Sequence, residues 1–172
     1  MIKIMDQEIK TYSLFKGICL GFTLILTITV FYVFDSKSII PQLNTYSCVF
    51  MFLLLIFPII SVYKYPFIAS KHTFKNYFSI SFIVMCIGLL FTTFYFYFLY
   101  NFIDRNLITE YTETQYVKCL SDPECNISFK ESLKMYKDDY FSISGQFHAY
   151  VFSLIPCTLY SSIISLLIKI IK

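Results

Sequence analysis

Residues 77–102 read YFSISFIVMCIGLLFTTFYFYFLYNF, a run without one Asp, Glu, Lys, Arg or His. Crossing the hydrocarbon core of a bilayer as an α-helix takes about 20 mostly apolar residues, so this run is long enough to span. Three other stretches read the same way. They are residues 15–34, with Lys16 in the first turn as their only charge, residues 46–63, with none, and residues 147–168, with only His148 near the start. A transmembrane barrel would instead show segments of about 10 residues alternating apolar and polar, and that alternation is missing. A cleaved signal peptide has an apolar core of roughly 7–15 residues and a small-residue cleavage site. The first stretch is longer and runs into Phe34-Asp35-Ser36-Lys37, so it is expected to stay as an anchor. The reading is an all-α membrane protein, one four-span domain over residues 1–172.

Composition supports the same class. The chain has 172 residues, 57% of them hydrophobic, 20% aromatic and 15% charged. Soluble domains run at about 45–50% apolar and about 25% charged, so a water-soluble fold would expose much of its Phe and Tyr. Disordered chains are poor in aromatics and rich in charge, the opposite of this one. With 4 Gly and 5 Pro, collagen-like and low-complexity classes are excluded too.

Lys and Arg placement sets orientation, because cytoplasmic loops carry the excess. Lys3, Lys10, Lys16, Lys64, Lys71, Lys75, Lys169 and Lys172 fall on one side, opposed only by Asp6 and Glu8. The other side has Lys37, Arg105, Lys118, Lys130, Lys134 and Lys137 against nine acids. Both termini are therefore expected in the cytoplasm. The net charge of +3 is a topology signal, and no nucleic-acid partner is implied.

Residues 103–146 hold nearly all the polar chemistry and are too long for an ordinary connection in a bundle, about 2–8 residues. Ile108, Tyr111, Thr112 and Tyr116 recur at helical spacing, Asp122-Pro123 signals a turn, and Ser128 with Glu131 fits a capping box. The expectation is an extracytoplasmic helical hairpin between spans three and four, tip at Pro123, second helix starting near Ser128. Of six Cys, Cys19, Cys48, Cys86 and Cys157 lie in the spans as small hydrophobes. Cys119 and Cys125 bracket the turn on the side expected to be oxidising, and a disulfide between them is expected. A staple for the tip is the plain role. A redox pair is the sharper one, although exchange enzymes keep two residues between their cysteines and here there are five.

Catalytic chemistry is not legible. No span carries Asp, Glu, Arg or Lys in its interior, where a charge is kept only for use. His72 and His148 are isolated, and no HExxH or Gly-rich phosphate loop occurs. No catalytic, cofactor-binding or metal residues are assigned, no cofactor is expected, and the chain is not expected to be an enzyme. Gly17-Ile18-Cys19-Leu20-Gly21 is a GxxxG, which lets helices approach closely within the bundle or between copies. Pro58 and Pro156 interrupt spans two and four, where each frees a backbone carbonyl. The aromatic block 91–100 reads as an interfacial belt.

Ser70-Lys71-His72-Thr73-Phe74-Lys75-Asn76-Tyr77-Phe78 resembles the S-F-x-x-A-F start of the third helix in a bacterial four-helix membrane family known as domain of unknown function 4199. Phe96 to Asp104 is similar to that family's Y-x-N-x-I-D exit into the long loop. The return helix at Met135-Tyr136-Lys137 and the last span, ending Leu166-Leu167-Ile168-Lys169, are similar too. Lys75-Asn76 and the Cys119/Cys125 pair depart from the pattern. The resemblance implies the topology, a Bacteroidota source and a multi-pass place in the bacterial inner membrane, and it implies no activity.

Three functions compete. The first is a non-enzymatic scaffold or accessory subunit that holds a membrane or periplasmic protein partner through the acidic hairpin. The second is a small homo-oligomeric channel or membrane-perturbing effector, thinly lined by hydroxyls such as Thr23, Thr27, Thr92, Thr93 and Ser161. The third is a thiol-redox membrane protein. All three take the lipid bilayer as partner.

Overall fold

A computed structural model describes residues 2–34, 45–65, 73–121 and 127–171. Those residues form six α-helices and no strand: α1 (Ile2–Phe34), α2 (Thr45–Lys64), α3 (Phe74–Phe98), α4 (Asn106–Leu120), α5 (Phe129–Met135) and α6 (Ile143–Ile171). Two π-helical turns, Leu99–Ile103 and Tyr136–Tyr140, join α3 to α4 and α5 to α6. Helices α1, α2, α3 and α6 are each long and apolar enough to cross a membrane. They overrun the stretches read from sequence, because the helix continues through polar flanks such as Gln7 to Thr11 and Ser144 to Gln146 once caps and neighbours satisfy the backbone.

The spans share one core with α3 at its centre, packed on α1, α2 and α6. Leu20, Leu24, Ile80, Val84 and Met85 are buried there. Gly17 and Gly21 lie on the α1 face against α3: a Cβ on Gly17 would stand 2.6 Å from Ile87 Cβ, and one on Gly21 2.8 Å from Phe91 Cβ. Gly88 of α3 returns the contact, leaving room for Leu20. Small residues therefore bring the two helices close enough for Thr29 Oγ1 and Tyr95 Oη to meet at 2.7 Å. Ser81 donates to Ser161 at 3.2 Å between α3 and α6. Tyrosine hydroxyls donate to backbone carbonyls of other helices, Tyr12 to Ser61 at 3.0 Å and Tyr160 to Leu55 at 2.6 Å.

Only 28–33% of each span's most apolar window is buried. The rest is aliphatic and aromatic surface such as Phe15, Phe22, Leu26 and Phe152, exposed in numbers that water would not tolerate. Hydrocarbon is the solvent these faces fit, so the chain is a multi-pass membrane protein.

Candidate functional site: the segment between the last two spans

Chemistry-bearing side chains concentrate in residues 104–142. The chain leaves α3 through a π-turn closed by the Asp104 N–H on the Leu99 carbonyl at 2.8 Å, and it joins α6 through another closed by the Phe141 N–H on the Tyr136 carbonyl at 2.9 Å. Asn101 ties the two turns together. Its amide donates to the Tyr97 carbonyl at 3.0 Å and the Phe141 carbonyl at 2.9 Å. Asp104 fixes the exit, one carboxylate oxygen accepting from the Asn106 N–H at 3.1 Å and the other from Tyr32 of α1 at 3.1 Å. Arg105 Nε donates back to the Asn101 carbonyl at 2.8 Å.

Phe141 is the apolar anchor, fully buried. Its ring meets those of Tyr100, Tyr111 and Tyr140 with centroids 4.8, 5.3 and 5.0 Å away. Burying a Phe contributes about 1.5–3 kcal/mol, and the edge-to-face contacts add to it. Burial, with Tyr140 and Tyr136 alongside, pushes the Tyr111 phenol up to about 12. Tyr111 therefore stays neutral at any physiological pH.

Helix α5 starts where the capping box expects it. The Ser128 hydroxyl accepts from the Glu131 N–H at 3.4 Å, and the Glu131 carboxylate accepts from the Ser128 N–H at 3.0 Å. The Ser128 hydroxyl, which also donates to that carboxylate at 2.7 Å, and then the Ser128 N–H hold the Glu131 carboxyl below the usual range. Tyr116 of α4 packs on Phe129 of α5 at 5.6 Å, and Tyr111 of α4 packs on Tyr136 of the following π-turn at 5.2 Å. Val117, Leu120 and Ile127 flank residues 122–126 and are 64%, 61% and 45% exposed.

Cys119 lies in the last turn of α4 and is not among the free thiols, which are Cys19, Cys48, Cys86 and Cys157. Its expected partner Cys125 and the expected tip at Pro123 lie outside the described residues, as does His72. His148 is exposed, with Nδ1 2.8 Å from the Ser144 carbonyl oxygen of its own helix. Among the described residues, no three His, Cys, Asp or Glu side chains lie close enough to share a metal ion. The aromatic block is not uniform: Phe91, Phe94 and Phe98 face outward, whereas Thr92 and Tyr100 are buried. Alternation along the helix splits it between lipid and core.

Sequence reading missed the cap at the start of α6. The Ser142 hydroxyl accepts from the Gly145 N–H at 3.1 Å, and a Cβ on Gly145 would fall on the carbonyl oxygen of Asp139. A Ser followed three residues later by Gly ahead of the apolar run was the signal. No curated protein and no solved structure matches the chain. A family model, described as protein of unknown function (DUF4199), matches residues 16–169. That match covers nearly the whole chain, which therefore belongs to this family.

Proposed function

We propose that the protein is a non-enzymatic scaffold or accessory subunit that presents residues 104–142 as a helical hairpin to a protein partner. The observation that carries this reading is the contrast between the two ends of the segment. Its base is held to the bundle by Phe141, Asn101 and Asp104. Its far end leaves Val117, Leu120 and Ile127 exposed, in a segment with an excess of acidic residues. A rigid base with an apolar end fits recognition, because a preordered surface loses little entropy on binding. In this reading the hairpin is extracytoplasmic, both termini are cytoplasmic, the membrane is the bacterial inner membrane, and a Cys119–Cys125 bridge staples the tip.

Span hydroxyls weigh against a channel through one copy. Thr23, Thr27, Thr92 and Thr93 each donate to a carbonyl of their own helix, at 2.9 Å in every case. Gly17 and Gly21 are used against α3, so the GxxxG face has no free side to offer a second copy. Purification of the full chain in mild detergent, with mass and co-purifying chains measured, tests the proposal. A stoichiometric complex with a second protein, lost on Leu120→Lys, supports it. A defined homo-oligomer indifferent to Leu120→Lys favours the channel.

A further inference from the structure

A cavity of about 350 Å³ lies beneath the hairpin base, between α2, α3 and α6. Tyr46 and Tyr100 line it and are only 7% and 4% exposed. Neither hydroxyl has a hydrogen-bond partner among the described residues. Both hydroxyls open onto the cavity, where a bound acceptor or water can meet them. Of the other polar groups of the wall, Thr92 and Thr93 donate to the carbonyls of Gly88 and Leu89, Tyr150 to that of Cys86, Ser153 to that of Tyr150 and Gln146 to that of Tyr140. The phenols of Tyr46 and Tyr100 therefore remain as donors, with that of Tyr140, 40% exposed, at the edge of the wall, and a phenol donates better than it accepts.

The wall defines the ligand further. Among the described residues no Asp, Glu, Lys, Arg or His lines the cavity, so a charged head group would meet no counter-ion from them. Phe50 and Phe96 offer flat apolar faces. The cavity's exposed lining residues include Met51 of α2, 50% exposed, and Ala149 of α6, two helices that barely touch. These outward positions face hydrocarbon, so the way in is from the bilayer. The volume suits one ring or a short ester group and excludes a whole lipid, whose tail must remain outside.

We propose that this cavity binds the head group of a neutral, carbonyl-bearing lipid, with the Tyr46 and Tyr100 hydroxyls donating to its carbonyl oxygen. Such a carbonyl belongs either to a quinone ring or to an acyl ester. The site is separate from the hairpin's far end and does not depend on the partner reading.

The test uses the full chain in detergent, titrated by native mass spectrometry with decylubiquinone, dioctanoylglycerol or phosphatidylglycerol. A saturable one-to-one adduct with either neutral probe is expected, and the probe that forms it assigns the carbonyl to quinone or ester. Tyr46→Phe and Tyr100→Phe keep the ring and lose the donor, and each is expected to weaken that adduct about five- to tenfold, the worth of one hydrogen bond. Ala149→Phe, which fills the opening, is expected to abolish it. Should Tyr100→Phe fail to fold, Tyr46→Phe and Ala149→Phe decide. The proposal is overturned if neither neutral probe binds, if phosphatidylglycerol binds as tightly, or if the folded variants bind unchanged.

Discussion

Gly145 occupies a place where the start of α6 passes against the π-turn before it. A Cβ there would meet the Asp139 carbonyl oxygen and stand 2.7 Å from that of Tyr140, both backbone atoms that cannot swing aside. Gly145→Ala is therefore expected to cost about 1–3 kcal/mol, as overpacking does, seen as a lower midpoint of thermal unfolding in detergent. Glu131 gives a pH effect with a definite sign. Its folded-state carboxyl is held below the ordinary value of 4.5 by the Ser128 bonds. The cap's contribution is thus complete above that ordinary value and is lost as pH falls through the lowered one. In Ser128→Ala the Glu131 titration midpoint, followed by carboxyl carbon NMR, should move up. Loss of the cap hydroxyl should itself cost about 1 kcal/mol.

At the scale of elements, the two π-turns and Asn101 form a clasp. Asn101→Leu removes two hydrogen bonds worth about 1 kcal/mol each, so residues 104–142 should become protease-sensitive while the four spans remain protected. Phe141→Ala removes the anchor and should loosen the same segment more, by about 3–5 kcal/mol. Limited proteolysis with mass mapping distinguishes these outcomes from global unfolding. The long helices and the Ser128–Glu131 cap were legible because apolar runs and caps are local properties of the chain. The π-turns were not, since they arise where Asn101 and Phe141, 40 residues apart, meet. The cavity was hidden for the same reason: Tyr46 and Tyr100 come from different helices, and within the aromatic block Tyr100 reads like its lipid-facing neighbours. A Cys119–Cys125 bridge would restrain the unfolded chain by about 2–3 kcal/mol on the loop-entropy model. Cys119→Ser with Cys125→Ser should therefore still insert and fold, with loss of order confined to the tip. Loss of cellular activity in a folded, abundant double variant would reopen the redox role.

The whole molecule is an apolar bundle with one polar appendage. Its outward faces need hydrocarbon, and in the sequence Lys outnumbers Asp and Glu up to the first turn of the first span, between the second and third, and after the last. A cysteine placed at position 140 in a chain lacking its native thiols should react with a membrane-impermeant maleimide from outside the cell only. Reaction from the cytoplasmic side alone would reverse the topology. The central claim, that the far end of the 104–142 segment holds another protein, is tested most directly in intact membranes by a photo-crosslinker at position 120. The account predicts one discrete adduct containing this chain and a second, different protein, lost when Val117 is changed to Glu. Adducts made only of multiples of this chain, or no protein adduct at all, would contradict it.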